Sequence, residues 1–256
     1  CSSTRQLKEH NVSVVTEAQR QQFEEEGYFI LDSVIDAASL ALLRDECQVA
    51  LDRKHAEMDA SGESSQGITH RGQRYFISNC FKVQPRLREF LFSELMADIC
   101  RSTLGDEAFL FWEQFVVKGR QGMKFSWHQD SGYVGDPDHK PYLTCWCPLD
   151  DVSEENGTVY VLPFSHVGIR SWVKHERDPE TNDKVGYFGD QRGVPVVCPA
   201  GSIAVFTSYN FHSSGPNQTD ELRRVFLAQY SCEPIKKGDE LWGNAEPVLV
   251  AGERQA

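Results

Sequence analysis

The spacing of apolar residues along the chain changes near residue 106. Up to Gly105, apolar residues recur every three or four positions, as at Leu40, Leu43 and Cys47, which is typical of amphipathic helices. Beyond Gly105, short segments rich in β-branched and aromatic residues are separated by Gly, Pro, Asn and Asp, which indicates strands joined by turns. Helices followed by many short strands predict an α+β fold with a β-sandwich or jelly-roll core.

Local signals place the first elements. Thr16 and Gln19 form a capping box, and Gly27 predicts the end of that helix before a short strand at 28–31. Asp36 predicts the start of a long second helix. The remaining predicted elements are the end of that helix near 59, a polar loop at 61–67, a helical region at 85–105, and strands at 109–118, 125–129, 142–149, 158–162, 194–198, 202–207 and 224–231.

The chain shows no repeat and no linker, so we predict a single domain over 1–256. Its helical part would cover about 1–105 and its jelly-roll core about 106–235, with the polar, turn-rich stretch 168–193 as an insertion loop. With 38 acidic and 26 basic residues the net charge is −12, which argues against nucleic acid or an anionic membrane as partner. We expect a monomer or homodimer that acts on a small molecule.

The eight cysteines are expected to be reduced thiols, because the chain is long enough to bury a core without disulfides. Cys145 and Cys147 lie in an apolar, strand-like run and are interpreted as packing residues. The chain has no apolar run long enough for a membrane span and no signal-like segment near its start, so we expect a cytoplasmic protein. Because it begins at Cys1 rather than Met, we expect the native N-terminus to be missing or processed.

The residues with metal-binding chemistry begin at Trp127-His128-Gln129-Asp130. Alternate side chains of a strand share a face, so His128 and Asp130 can converge on one point. His212, which follows a predicted core strand, is the best third ligand among the eight histidines. Two histidines and one carboxylate form the facial triad of non-haem Fe(II) oxygenases, which leaves coordination positions open. A His-x-Asp pair alone is common by chance, so this prediction depends on further features.

Two consecutive arginines, Arg223 and Arg224, open the last predicted core strand. Arg223 shares a face with Val225 and Leu227, whereas Arg224 shares the other face with Phe226. Because both faces are apolar, at least one guanidinium group should be partly buried, and a buried guanidinium needs an anion. A carboxylate of the protein and a carboxylate of a ligand would serve equally well, so both alternatives stay open.

Several motifs, taken in their order, resemble the phytanoyl-CoA dioxygenase family of Fe(II)/2-oxoglutarate oxygenases. These motifs are His128-Gln-Asp130, Leu149-Asp-Asp, Glu155-Asn-Gly157, Pro163-Phe-Ser-His166, His212-Ser-Ser-Gly and Arg223. The resemblance covers nearly the whole chain, from Glu24 to Tyr230. It implies a double-stranded β-helix core of the jelly-roll or cupin type with N-terminal helices packed on it. It also implies Fe(II) as cofactor, with 2-oxoglutarate and O2 as cosubstrates.

The resemblance also implies roles for single residues. His128, Asp130 and His212 match the family's iron ligands, and Arg223 matches the arginine that pairs with the distal carboxylate of 2-oxoglutarate. The other residues implied around 2-oxoglutarate are Ser214, Trp146, Lys82 and Gln114. The human peroxisomal member has methionine where this chain has Gln114, so the glutamine is either a donor to 2-oxoglutarate or an ordinary strand residue. The carboxylate of Asp130 argues against the halogenase variant of this site, in which the carboxylate is lost.

Aromatic side chains are expected to flank the open face of the site. These are Phe125, Trp127, Tyr133, Tyr209 and Phe211, with Trp172 and Trp242 as further candidates. Such a rim suits an apolar or ring-bearing small molecule, and we predict hydroxylation of an unactivated C–H bond.

Four alternatives to this reaction remain open. The same chemistry could act on an acyl-CoA thioester, or it could cyclise or desaturate a natural product. The chain could instead be a zinc hydrolase or a non-catalytic jelly-roll binding module. The CoA phosphates would require a basic patch, for which the candidates are Arg120, Lys124, Arg170, Lys174 and Arg177.

Overall fold

The computed structural model describes residues 13–135 and 138–255. The helices are α1 (Glu17–Glu26), α2 (Ala37–Ser61), α3 (Leu87–Leu91), α4 (Glu94–Thr103), α5 (Ser131–Val134) and α6 (Phe164–Val167), with a 3₁₀ turn at Cys80–Lys82. The first strands are β1 (Tyr28–Leu31), β2 (Ser65–Gln66), β3 (Thr69–His70), β4 (Arg74–Ser78), β5 (Ala108–Lys118), β6 (Phe125–His128), β7 (Leu143–Pro148), β8 (Val159–Val161) and β9 (Glu176–Arg177). The later strands are β10 (Lys184–Val185), β11 (Val194–Pro195), β12 (Ile203–Thr207), β13 (His212–Ser214), β14 (Arg223–Ser231), β15 (Lys236–Lys237), β16 (Glu240–Leu241), β17 (Glu246–Val250) and β18 (Glu253–Arg254).

The first two helices begin at the predicted capping residues. The Thr16 hydroxyl accepts a hydrogen bond from the Gln19 amide, and the Gln19 side chain accepts one from the Thr16 amide, which completes the capping box. Gly27 ends α1 with φ of 82°, a left-handed conformation that glycine adopts without strain. The Asp36 carboxylate caps α2, which runs to Ser61, slightly beyond the predicted end.

Antiparallel strands form two main sheets. The larger sheet has the order β1-β12-β7-β14-β5-β4-β3-β2, and β17 also pairs with β5 and with β18. The smaller sheet has the order β11-β8-β13-β6, while β9–β10 and β15–β16 are separate hairpins. These sheets form the double-stranded β-helix, with the helices of the N-terminal part beside it, so the predicted α+β fold class is confirmed.

Strand β14 separates two apolar clusters. Its side chains Phe226 and Tyr230 join the larger cluster, which the helices α2, α3 and α4 complete. Its side chains Val225 and Leu227 join a second cluster that also contains apolar residues of the smaller sheet. Since Arg223 alternates with Val225 and Leu227, it lies on the face between the sheets, where the candidate site is found.

Three features of the fold differ from the sequence prediction. Strand β4 lies in a stretch without a predicted element, although it pairs with β5 along its whole length. Strand β17 also pairs with β5, so the larger sheet extends beyond the core predicted at 106–235. The stretch 168–193 is more than a surface loop, because it contains β9, β10 and the buried Asp183.

All described cysteines are free thiols, and Cys1 lies outside the described residues. Cys145 and Cys147 are fully buried in the cluster under the helices, in agreement with their interpretation as packing residues. Within the described part of the chain, no helix combines the length and apolar character that crossing a membrane requires.

Candidate active site

Three predicted metal ligands converge between the two sheets. His128 is the last residue of β6, and Asp130 lies in the turn that follows. His212 is the first residue of β13, which pairs with β6 so that His212 lies opposite His128. Asp130 Oδ1 lies 3.8 Å from His128 Nε2 and 3.5 Å from His212 Nε2. The ligand atoms of all three residues lie within 4.8 Å of one another, a separation that one metal ion could bridge.

Backbone carbonyls orient both imidazole rings. His128 Nδ1 lies 2.8 Å from the Ser126 carbonyl oxygen, and His212 Nδ1 lies 3.2 Å from the Asn210 carbonyl oxygen. Because a carbonyl only accepts, each Nδ1 must carry the proton and each Nε2 is left with a free lone pair. Such outer hydrogen bonds fix the tautomer and the ring orientation of histidines that bind metals.

Two side chains fix the carboxylate of Asp130. Its Oδ2 accepts hydrogen bonds from Thr144 Oγ1 at 2.6 Å and from Gln229 Nε2 at 2.9 Å. Both donors approach Oδ2, so Oδ1 is left to face the two histidines. Thr144 and Gln229 were not predicted as site residues, because their positions on β7 and β14 become meaningful only once these strands are paired.

The charges at these three residues suit a divalent cation. Burial lowers the pKa of His128 well below its ordinary value, and the nearby His212 lowers it further. Burial alone would raise the pKa of Asp130, but the two histidines and Thr144 lower it to about 2. At neutral pH the site therefore offers a carboxylate with at least one neutral imidazole, the ligand types of a non-haem iron site.

A pocket beside the triad, here called the inner pocket, holds buried cationic side chains. Arg223 is 1 % exposed, and its guanidinium donates from Nη2 to the Gly157 carbonyl at 3.2 Å. Its Nε and Nη1 have no partner among the described residues. Burial lowers the pKa of Arg223 to about 10, so the group is still charged at neutral pH. Its buried charge is therefore not balanced by an ion pair with any described residue.

Arg224 resolves the alternative that the sequence left open. Its side chain makes two hydrogen bonds to Asp150, of 3.0 Å from Nε and 2.6 Å from Nη2, on the opposite face of β14. The carboxylate of Asp150 thus pairs with Arg224, while Arg223 forms no ion pair with a described residue. The sequence predicted the two faces but could not assign the partners.

Two further basic side chains, neither of them predicted from the sequence, line the inner pocket. Lys118 is 2 % exposed and donates to the Gly215 carbonyl, and burial together with Arg223 lowers its pKa well below the ordinary value. Arg74 forms a buried ion pair with Asp183. Lys118 could have been predicted to line the site, because it lies four residues after Gln114 on β5 and alternate side chains of a strand share a face. Arg74 could not, because β4 was not predicted.

The residues implied around 2-oxoglutarate divide into two groups. Trp146, Ser214 and Gln114 line the inner pocket, and the Arg223 guanidinium lies 5.7 Å from the Trp146 ring centre. Lys82 does not line it. It is exposed at the end of the 3₁₀ turn, where its ammonium group lies near the Phe81 ring. The expectation that Lys82 lies near 2-oxoglutarate is therefore corrected. No local signal in the sequence fixes the direction in which a side chain leaves such a turn.

A second pocket, here called the aromatic pocket, opens on the other side of the triad. It shares Gln114, Phe76, Phe125, His128 and Asp130 with the inner pocket. Its aromatic lining consists of Phe76, Phe111, Trp112, Phe125, Tyr133, Tyr142 and Trp242. Its other lining residues are Gln66, Gly67, Ile68, Thr69, Ser78, Gln114, Val134 and Gln229.

Of the five aromatic residues first predicted to contact the substrate, Phe125 and Tyr133 line the aromatic pocket. Trp127 lies in a separate shallow groove and contacts Tyr187. Phe211 also packs on Tyr187 and is fully buried.

Of the other three aromatic candidates, one lines the aromatic pocket and two do not. Tyr209 donates to the His139 carbonyl, and Trp172 donates to the Ser131 carbonyl. Neither lines the pocket, whereas Trp242 does. Four of the seven aromatic lining residues thus come from β4, β5 and the C-terminal region rather than from neighbours of the histidines in sequence.

Gln129 lies between His128 and Asp130 and connects the stretch 168–193 to the site through hydrogen bonds. Its side chain donates to the Ser171 carbonyl at 2.9 Å and accepts from the Val173 amide at 2.9 Å. Its backbone amide donates to His175 Nε2 at 2.9 Å. The residue that separates the ligands therefore has a structural role of its own.

Solved structures share this architecture. The crystal structure of EctD from S. alaskensis with 2-oxoglutarate and 5-hydroxyectoine matches with a TM-score of 0.72 and 21% identity, covering 96% of this chain and 89% of that one. The carbocyclase SnoK from nogalamycin biosynthesis matches with a TM-score of 0.67 and 18% identity, covering 87% of each chain. The fold is thus that of the non-haem, 2-oxoglutarate-dependent oxygenases.

Residues 23–225 match the model of the phytanoyl-CoA dioxygenase family, so the chain belongs to this family. It is an Fe(II)- and 2-oxoglutarate-dependent dioxygenase, and the family implies a small-molecule substrate. The probable alpha-ketoglutarate-dependent hypophosphite dioxygenase of Stutzerimonas stutzeri is 24% identical, covering 91% of this chain and 85% of its own. The 2-aminoethylphosphonate dioxygenase of uncultured bacterium HF130_AEPn_1 is 23% identical, with coverage of 86% and 83%.

Proposed function

We propose that His128, Asp130 and His212 bind Fe(II), that Arg223 binds the distal carboxylate of 2-oxoglutarate, and that the enzyme hydroxylates an unactivated C–H bond of a small organic molecule. The buried guanidinium of Arg223, which has no partner for Nε and Nη1 among the described residues, carries this proposal. Two of its donor atoms are buried without an acceptor, in a pocket that the three metal ligands also line. A dicarboxylate with one end on the metal and the other on Arg223 would satisfy both.

Bound iron and 2-oxoglutarate supply the activation of O2 and the removal of a hydrogen atom from carbon. The residues of the chain have other tasks. Thr144 and Gln229 hold the Asp130 carboxylate with one oxygen towards the histidines. Trp146 borders the cosubstrate, and the aromatic pocket holds the substrate beside the metal and excludes water from it.

The residues around the site argue against a zinc hydrolase. Such an enzyme would need a general base near the metal. Apart from Asp130, no carboxylate of the described residues lines the inner or the aromatic pocket. Two carboxylates in the acidic turn after β7 are engaged elsewhere: Glu154 accepts from the Tyr160 hydroxyl, and Asp151 accepts from the Ala200 amide.

An acyl-CoA substrate is also disfavoured. Arg170 donates to the carbonyls of Glu24 and Glu25, and Arg177 donates to Asn182. None of the five cations considered for a CoA-binding patch lines the aromatic pocket. The names of the relatives refer to hypophosphite and 2-aminoethylphosphonate. The described lining of the aromatic pocket lacks the cations that such anions need, so we do not propose these substrates for this chain. Cyclisation or desaturation would use the same residues and differ only in the substrate.

Anaerobic spectroscopy tests the proposal without knowledge of the substrate. Adding Fe(II) and 2-oxoglutarate to the apoprotein should produce the visible metal-to-ligand charge-transfer band of a chelated 2-oxoglutarate. The band should vanish in His128→Ala and persist in His166→Ala, which removes an exposed histidine outside the site. A band of full intensity in His128→Ala would refute the assignment of the metal ligands. Absence of any band in the wild-type protein would favour a non-catalytic binding module.

A further inference from the structure

The two pockets that meet at the metal ligands differ in charge. The inner pocket is lined by Arg74, Lys118 and Arg223, all of them at most 2 % exposed. No lysine or arginine of the described residues lines the aromatic pocket. Among the described lining residues, Asp130 is the only carboxylate, and the proposed function assigns it to the metal.

Three cationic side chains of the described residues approach rings of the aromatic pocket without lining it. The Arg74 guanidinium lies 4.7 Å from the Phe125 ring centre and is paired with Asp183. The Lys184 ammonium lies 5.3 Å from the Tyr133 ring centre and donates to the Gly132 carbonyl at 2.7 Å. The exposed Lys237 lies 3.6 Å from the Trp242 ring centre, outside the lining. An anionic group inside the pocket would therefore lose its hydration without gaining an ionic partner, which is unfavourable.

The rings of the pocket provide flat apolar surfaces close to the metal ligands. The ring centre of Phe125 lies 4.6 Å from that of His128 and 5.0 Å from that of Phe76. The nearly parallel ring of Tyr133 has its centre 6.4 Å from that of Phe125. Such ring faces bind other rings through offset stacking and edge contacts. The polar residues are neutral amides and hydroxyls, among them Gln114, which accepts from Ser78 at 3.1 Å. Groups of this kind orient a ligand without requiring it to carry charge.

Resting on the proposed function, we propose that the substrate is an uncharged, ring-bearing organic molecule that binds in the aromatic pocket. The charged end of the site serves the cosubstrate, and the neutral end serves the substrate. This assigns Trp242, at the rim of the pocket, as a residue that determines specificity.

Equilibrium dialysis with matched probes tests this inference. We would use 2-naphthol, naphthalene-2-carboxylate and 2-naphthylmethylamine, anaerobically with Fe(II) and 2-oxoglutarate bound, so that the carboxylate cannot occupy Arg223. The neutral probe should bind at least about tenfold more tightly than either charged probe. Trp242→Ala should weaken naphthol binding by about tenfold, and Phe188→Ala, which removes an exposed ring outside the pocket, should not.

A second variant adds charge instead of removing a ring. Gln66→Lys places a cation in the lining and should improve binding of the naphthalene carboxylate while leaving naphthol nearly unchanged. Tighter binding of either charged probe to the wild-type protein overturns the inference, as does unchanged naphthol binding in Trp242→Ala. The charge-transfer band measured in the same samples reports on the proposed function separately. Its loss together with selective naphthol binding would refute the metal site and not the pocket assignment.

Discussion

Arg223→Met separates the stability of the protein from its binding of 2-oxoglutarate. In the ligand-free protein, Nε and Nη1 of the wild-type arginine are buried without partners. Replacing a buried ionic group by an apolar side chain of similar length is often stabilising by about 1–4 kcal/mol. Loss of the hydrogen bond to Gly157 offsets about 1 kcal/mol of this gain. We therefore expect the ligand-free variant to be at least as stable as the wild type, with a gain of up to about 3 kcal/mol.

The same substitution should weaken the binding of 2-oxoglutarate. Removing one partner of a buried, hydrogen-bonded charge pair costs about 2–5 kcal/mol, which corresponds to a loss of about 30-fold to several thousand-fold in affinity. Thermal unfolding with and without 2-oxoglutarate measures both effects, since each kcal/mol moves Tm by about 2–4 °C in a chain of this size. The stability order should reverse as 2-oxoglutarate saturates the wild type.

The neighbouring arginine is the matched control for this experiment. Arg224→Met breaks the ion pair with Asp150 and should lower stability without changing the affinity for 2-oxoglutarate. If ligand-free Arg223→Met were less stable than the wild type and bound 2-oxoglutarate equally well, Arg223 would be a structural residue and the reasoning would be wrong.

Three further substitutions test other parts of the molecule. Gln229→Leu removes a donor to Asp130 and should weaken Fe(II) binding about 10- to 100-fold in a metal titration, whereas unchanged affinity would contradict its role. Asp183→Asn leaves the buried Arg74 without its carboxylate and should cost about 3–5 kcal/mol in urea unfolding; a negligible loss would contradict the pair. Burial raises the pKa of Glu113 to about 7, so folding favours the protonated carboxyl group. The free energy of unfolding of the wild type should therefore fall as pH rises from the ordinary carboxyl pKa towards 7. Glu113→Gln should therefore gain about 3 kcal/mol over the wild type near pH 8 and almost nothing near pH 4, as measured by thermal unfolding at both pH values.

Elements with strong local signals could be predicted from the sequence. The cap at Thr16, the stop at Gly27 and the cap at Asp36 depend on hydrogen bonds to the nearest amides, which the order of residues alone specifies. Strand β4 was missed because its main stabilising partner, β5, is remote in sequence. A run as short as β4 carries little periodic information by itself.

The candidate site was predictable to the extent that it depends on alternation along strands. Parity placed Arg223 and Arg224 on opposite faces, but only the folded chain shows that Asp150 lies beside Arg224. Lys82 was assigned by resemblance alone and lies at the surface. Lys118 is found in the pocket instead, on a strand whose pattern already contained the information.

The link between Gln129 and the stretch 168–193 bears on the engineering of chimeras. The ring of His175 packs so closely on Gly132 and Gly186 that a side chain at either position would collide with it, at 2.6 Å and 2.4 Å respectively. A segment transplanted from a relative would therefore have to bring compatible residues at 129 and 132 with it. Those two positions flank Asp130, so any grafted loop is constrained by the residues that position a candidate iron ligand.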